Sequence, residues 1–168
     1  LSVLESGRAQ LTVTVANLHD LIGRALAAAS ATRPERGFAI DRDVLAEHLG
    51  VITDADRLLQ VLINVISNAR KYCDAERPQL IIRVRRPEGG GAVIDIVDNG
   101  SGIDAARQSL IFEKFARLND PARAGGAGLG LAICREIMLT LGGEISYLPG
   151  QGGAAFRIQL PQRPLVPA

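Results

Sequence analysis

Residues 58–72 read Leu58-Leu59-Gln60-Val61-Leu62-Ile63-Asn64-Val65-Ile66-Ser67-Asn68-Ala69-Arg70-Lys71-Tyr72. At about 100° per residue, Leu58, Leu62, Val65, Ile66, Ala69 and Cys73 fall on one apolar arc, the stripe with which a helix covers a core. Asn64, Asn68, Lys71 and Tyr72 share the adjoining arc at helical offsets. Two amides, an ammonium and a phenol on one helix edge suit a nucleotide. An amide oxygen can ligate Mg²⁺, a hard cation that prefers oxygen. Lysine carries a mobile positive charge for phosphate oxygens, and tyrosine offers a flat face with a polar tip to a base. On periodicity alone, the same edge also fits a surface helix that meets only water.

Working outward, Asp54 is a good N-cap, so the helix is expected over 55–73. Upstream, residues 1–10 read as the end of a helix, and the alternating, β-branched 11–15 as a strand. Asn17 caps a helix over 18–31 that the Arg33-Pro34 step ends. Short strands are expected at 38–41 and 47–52. Downstream, strands at 80–85 and 92–97 are joined through the Pro87-Glu88-Gly89-Gly90-Gly91 turn. After Asp98 come a glycine-bearing loop, a short helix and a polar, glycine-rich stretch to Gly126. A helix over 128–141 stops at Gly142-Gly143. Residues 145–148 and 155–160 close a hairpin around Gly150-Gln151-Gly152-Gly153, and the proline-bearing tail 161–168 is expected to fray. The chain shows no internal repeat. Helices and strands are mixed rather than strictly alternating, which makes the class α+β: one sheet covered by a helical layer.

Composition narrows the function. The 168 residues fit one domain, and 47% hydrophobic content is ample for one core. Nineteen basic against eighteen acidic side chains leave a net charge of +1, no footprint for nucleic acid or an anionic membrane. No apolar run reaches bilayer length and the first residues lack a secretory leader pattern, so any membrane tether is expected elsewhere in the parent. Cys73 and Cys134 lack metal-ligand spacing and read as buried thiols in a reducing compartment.

The strand at 92–97 runs into Asp98-Asn99-Gly100-Ser101-Gly102-Ile103-Asp104. A carboxylate just past a strand end can accept a hydrogen bond from the adenine amine, which guanine's carbonyl at that place could not donate. Gly100 and Gly102 clear side chains from where a ring would lie against backbone. An ordinary Asp-Asn-Gly turn is the competing reading; a calcium loop fails on spacing. Further on, Phe112 and Phe115 adjoin a polar segment carrying Arg117 and Arg123. They would anchor a mobile flap whose arginines approach terminal phosphates, although core packing alone would also account for the phenylalanines. Gly125-Gly126-Ala127-Gly128-Leu129-Gly130-Leu131 then opens a helix, and N–H groups at a positive helix end form a ready anion site. Leu131 breaks the dinucleotide fingerprint, and no Gly-Lys-Ser/Thr follows for a P-loop.

In their order, these motifs resemble the nucleotide site of the sensor histidine kinase catalytic domain, within the gyrase, heat-shock chaperone, histidine kinase and mismatch-repair ATPase superfamily. Asn64 to Tyr72 is similar to the asparagine box and Asp98-Asn99-Gly100-Ser101-Gly102 to the first glycine box. Phe112 to Phe115 is similar to the phenylalanine box, and Gly126 to Leu131 to the second glycine box. The resemblance covers residues 11–160, and Leu4-Glu5-Ser6-Gly7-Arg8 looks like the end of the family's second dimerisation helix. It implies a Bergerat-type ATP-binding fold, a two-layer sandwich of one mixed, mostly antiparallel sheet against three helices, with a flexible lid. Residues 1–10 would be helix end or linker, 11–161 the catalytic domain and 162–168 a frayed tail.

By motif position the resemblance implies ATP and Mg²⁺ as ligands. Asn68 would hold the metal, Lys71 a phosphate, Tyr72 the adenine, and Asp98 would select it. Gly100, Gly102, Ile103 and Phe112 would complete the base end, with Gly126, Gly128, Leu129 and Gly130 cradling phosphates. Asn64, Lys71 and Arg123 would serve catalysis. Gyrase-like relatives carry a glutamate in place of Asn64 to activate water; an amide cannot act as a general base, which points to transfer onto a supplied acceptor. That acceptor would be a histidine on a dimerisation hairpin. His19-Asp20 and His48 lack the acceptor pattern. The implied partners are the parent's own dimerisation helices in a homodimer and a cognate response regulator, in the cytoplasm. A degenerate nucleotide-binding signalling module without phosphotransfer is the alternative. The stretch Cys73-Asp74-Ala75-Glu76, where the family has a glycine-bearing turn, departs from the pattern.

Overall fold

A computed structural model describes residues 10–31, 37–44, 49–113 and 127–163. Strand β1 (Val13–Asn17) leads into helix α1 (Leu18–Ser30), whose first turn is capped where Asn17 Oδ1 accepts from Asp20 N at 3.0 Å. Leu18, Leu21, Ile22, Ala25 and Ala29 recur at helical spacing and are buried. After β2 (Ala39–Val44) and β3 (Gly50–Asp54), Asp54 caps helix α2 (Ala55–Tyr72). Its Oδ1 accepts from Arg57 N at 3.3 Å, while Oδ2 accepts from Arg57 Nη1 at 2.7 Å and from Thr12 N at 2.9 Å. One carboxylate therefore starts the helix and fastens the approach to β1. Leu58, Leu62, Val65 and Ile66 of the expected apolar arc are buried, as is Val61.

Strands β4 (Gln79–Arg85) and β5 (Ala92–Asp98), one-turn helix α3 (Ala105–Gln108), helix α4 (Ala127–Thr140), and strands β6 (Glu144–Tyr147) and β7 (Ala155–Leu160) complete the order. Five strands form a mixed sheet in the order β2-β4-β5-β7-β6. Only β2 and β4 run parallel, with Ile40 opposite Leu80; the other pairs are antiparallel. The strict alternation of β4 sends Leu80, Ile82 and Val84 to the covered face, where Ile94, Ile96, Phe156 and Ile158 join them. Against this face lie α1, α2 and α4, with α2 touching both of its helical neighbours.

The α+β, sheet-under-helices expectation holds, with one addition. Strands β1 and β3 pair with each other in a separate antiparallel ladder, from Val13 opposite Asp54 to Asn17 opposite Gly50. Each ends where a helix begins, and because the pairing is antiparallel α1 and α2 set out from opposite ends of the ladder. The hairpin expected around residues 150–153 is present, with Gly150 and Gly152 at positive φ. The expectations for the helix end at 1–9, the Arg33-Pro34 stop, and the tail beyond 163 lie outside the described residues. No helix among the described residues is long and apolar enough to cross a bilayer.

Candidate nucleotide site

A cavity of about 480 Å³ opens between the last turns of α2 and the loop that follows β5. Helix α2 contributes Asn68, Ala69 and Tyr72 to its wall, Asp74 follows just beyond it, the end of β5 brings Asp98, and the loop adds Gly100, Ser101, Gly102 and Ile103. Helical periodicity puts Asn68 and Tyr72 one turn apart on the same edge. The end of a central strand delivers Asp98 opposite them.

Asp98 is held rather than loose. Its Oδ1 accepts from Gly100 N at 2.8 Å and Ala154 N at 3.1 Å, and its own N–H donates to Ala154 O at 2.9 Å. The side chain is buried at 7% exposure. Burial pushes its carboxyl above the usual range, with the Asp74 charge adding to the effect, and the two N–H donors offset part of that rise. Oδ2 has no hydrogen-bond partner among the described residues, which leaves an acceptor on the wall of the cavity. A Cβ on Gly153 would lie 2.0 Å from the Asp98 carbonyl oxygen, so the β6–β7 turn backs directly onto this residue.

The loop beyond Asp98 is tied at each step. Asn99 Oδ1 accepts from Gln79 N at 2.8 Å, and its Nδ2 donates to Arg77 O at 2.9 Å. Ser101 donates through N and Oγ to the Asp74 carboxylate at 2.8 and 2.6 Å. Gly102 takes φ 81°, a backbone state that disfavours any side chain. Ile103 N donates to Tyr147 Oη at 3.0 Å and Ile103 O accepts from Gln108 Nε2 at 2.7 Å.

The structure brings six of the expected residues to one cavity: Asn68, Tyr72, Asp98, Gly100, Gly102 and Ile103. Three others lie off its described wall. Lys71 holds its ammonium 5.4 Å from the Tyr72 ring centroid, a cation–π distance. Asn64, a turn below Asn68, accepts from Gln60 Nε2 at 3.1 Å. Burial pushes the Cys134 thiol up to about 12, an effect that Asn64 offsets in part, and the thiol donates to Val61 O at 3.9 Å. Phe112 packs edge-on against Phe156 at 6.2 Å, and Phe156 in turn lines the cavity. Gly128, Leu129 and Gly130 stand in the first turn of α4. Phe115, Arg117, Arg123 and Gly126 lie outside the described residues.

Asn68 fits the metal role that its motif implies. Its Nδ2 is buried without a hydrogen-bond partner among the described residues, so the amide is not consumed by the protein's own network. Amide oxygen and nitrogen exchange places by a half-turn, and the oxygen suits a hard cation. Among the described residues no group of three or more His, Cys, Asp or Glu could hold a metal alone. A cation beside Asn68 would therefore complete its shell with phosphate and water oxygens.

Sequence reasoning passed over Asp74, Ser101, Gly153 and Ala154. Their roles come from contacts between segments remote in the chain. The only local signal was that residues 73–76 depart from the family's glycine-bearing turn.

The chain belongs to the family described as histidine kinase-, DNA gyrase B-, and HSP90-like ATPases, whose model matches residues 53–164. Within that family its relatives are sensor kinases. It is 41% identical to the sensor protein KdpD of Escherichia coli over 71% of this chain and 13% of KdpD. It is 35% identical to the probable sensor histidine kinase TcrY of Mycobacterium tuberculosis over 96% of this chain and 33% of TcrY. Among solved structures, the catalytic domain of the histidine kinase ThkA superposes with a TM-score of 0.78 at 26% identity, covering 92% of this chain and 100% of that one. The mycobacterial sensor histidine kinase MprB superposes at 0.71 with 28% identity, covering 91% and 99%. The chain spans 13–43% of the length of the curated relatives KdpD, NtrB and TcrY. It is an ATPase domain of the kind that sensor histidine kinases carry.

Proposed function

We propose that the chain binds ATP with Mg²⁺ in this cavity and passes the γ-phosphoryl group to a histidine on a dimerisation hairpin of its parent protein. The observation that carries the proposal is convergence: Asn68 and Tyr72 of α2 face Asp98 and the glycines of the β5 loop across one cavity.

In this reading Asp98 accepts from the adenine amine and Tyr72 lies against the base, with Gly100, Gly102 and Ile103 forming the loop side. Asn68 holds Mg²⁺, which when bound neutralises phosphate charge. Lys71 and Arg123 reach phosphate oxygens, and Gly126, Gly128, Leu129 and Gly130 supply the positive end of α4. Asn64 carries an amide where hydrolytic relatives need a base, so the site favours a supplied acceptor over water. His19 is a poor acceptor candidate: its Nδ1 lies 3.3 Å from Arg42 Nη2 and its carbonyl accepts from the same nitrogen at 2.9 Å. The partners in this reading are the parent's dimerisation helices, paired in a homodimer, and a response regulator, all in the cytoplasm.

The test mixes the domain with the parent's dimerisation hairpin and γ-labelled ATP. Acid-labile, base-stable phosphate on the hairpin is the expected result. ATP binding without any transfer would replace this proposal with a nucleotide-binding signalling module.

A further inference from the structure

We propose that Asp74 is a positioning residue for the base-reading wall: its carboxylate clamps Ser101 and so fastens the loop after β5 to the end of α2. This rests on the reading that Asp98 meets the base.

Asp74 stands two residues past the last residue of α2. Its two oxygens are both spent on Ser101, Oδ1 on the backbone N–H at 2.8 Å and Oδ2 on the hydroxyl at 2.6 Å. A charged acceptor makes both bonds stronger than neutral equivalents. The preceding N–H, from Gly100, goes to Asp98 Oδ1. Two successive loop N–H groups therefore end on carboxylates from two separate segments. Gly100 is what allows this: a Cβ there would lie 2.9 Å from Asp74 Oδ1 and 3.2 Å from Asp98 Oδ1.

Asn99 adds its own ties to Arg77 and Gln79, but these hold the base of the loop at the start of β4. Ser101, which lines the cavity beside Gly102, has its N–H and hydroxyl held by Asp74, itself on the same wall. The helix that ends two residues earlier bears Asn68 and Tyr72. Asp74 thus sets how far the base-reading loop stands from the α2 edge, and with it the width of the cavity at the base end. Affinity, more than folding, should register its loss.

The test titrates ATP and GTP, each with Mg²⁺, against the wild type and the variants Asp98→Ala, Asp74→Ala, Asp74→Asn, Ser101→Ala and the Asp74→Ala/Ser101→Ala double. Asp74→Ala is expected to weaken ATP about tenfold and to narrow the ATP-over-GTP preference, since the loop carrying the base contacts loosens. Asp74→Asn should stay within roughly threefold of wild type, because an amide still accepts from the Ser101 N–H and can donate to its hydroxyl. The double variant should be no weaker than Asp74→Ala by more than about twofold, as two residues acting through one contact are not additive. Wild-type affinity in Asp74→Ala, no rescue by Asp74→Asn, or losses that multiply in the double would each overturn the clamp. If Asp74→Ala fails to fold, Ser101→Ala decides, with about a threefold loss expected and wild-type affinity refuting. If the wild type ignores ATP or Asp98→Ala changes nothing, the base-reading site falls and the clamp with it. If Asp98→Ala abolishes binding while Asp74→Ala does not weaken it, the clamp alone falls.

Discussion

Replacing Gly153 by alanine adds one methyl group at the buried end of the β6–β7 turn, and it should damage both fold and site. A Cβ at this position would lie 2.0 Å from the Asp98 carbonyl oxygen, 2.8 Å from the carbonyl carbon and 2.9 Å from Oδ1, all inside the 3.0 Å that real Cβ contacts respect. Two of the three obstructing atoms are backbone at the end of a central strand, so no rotamer change relieves them. The turn has to back away, and the reciprocal bonds Asp98 N to Ala154 O and Ala154 N to Asp98 Oδ1 lengthen with it. Overpacking of this kind costs about 1–3 kcal/mol, and a buried polar group left short of a partner costs about 1–3 kcal/mol. Because one displacement causes both, they overlap, and about 2–4 kcal/mol in total is the expected loss. For a domain of this size that lowers Tm by roughly 4–16 °C. Urea titration followed by far-UV circular dichroism measures the stability, and calorimetry on the folded variant measures ATP, whose affinity should fall at least about tenfold as Asp98 shifts. Gly89→Ala is the control: nothing lies within 4 Å of its Cβ position, so it should be neutral or slightly stabilising. A Gly153→Ala protein within about 0.5 kcal/mol of wild type and with unaltered ATP affinity would refute the reasoning.

Two further substitutions probe carboxylates whose environments push in opposite directions. Burial holds the Asp98 carboxyl above the usual range. Its stabilising contribution is therefore complete below the unfolded pKa and lost as pH rises through the raised folded value. Asp98→Asn should consequently melt higher than wild type at pH 7 while binding ATP more weakly, and the gap should close on acidification. A lower Tm at pH 7 would contradict this. Burial also pushes Asp54 upward, but bonds from Thr12 N, Arg57 N and the Arg57 guanidinium outweigh it and hold the carboxyl below the usual range. Its contribution is present above the unfolded value, near pH 4, and lost as pH falls through the folded one. Asp54→Ala should cost about 2 kcal/mol at neutral pH, with a difference in urea midpoint that shrinks in acid; a pH-independent difference would rule the carboxylate out as its source.

How far the sequence could be read follows from how local each cause is. Asn17 and Asp54 were visible as caps because a cap acts on the N–H three residues on. The α2 edge was visible because helical geometry alone brings Asn68 and Tyr72 together. The strands at 80–85 and 92–97 were found within a residue of their bounds, since alternation and a glycine turn are local signals. The reading of 47–52 missed by more, as Gly50–Asp54 takes its register from β1, more than thirty residues earlier. Nothing in the order of residues announced that β1 and β3 would leave the main sheet to pair with each other.

The same distinction separates the half of the site that was read from the half that was not. Asp98 could be singled out from its place at a strand end, and it does line the cavity, but what holds it lies 56 positions away at Ala154, and its loop is held from Asp74, 27 positions before Ser101. Those anchors are backbone and a single carboxylate, residue types that carry no motif of their own. Gly153 read as one more turn glycine, although the contact that excludes a side chain there comes from Asp98 rather than from its own φ. Side chains that would touch a ligand are thus legible from short motifs, because ligand chemistry dictates their type. The groups that hold them are set by whichever segment the topology brings alongside, and in this domain the β6–β7 turn and the end of α2 fill that place. Affinity should therefore respond to changes at Asp74 and Gly153 much as it responds to changes at the motif residues themselves.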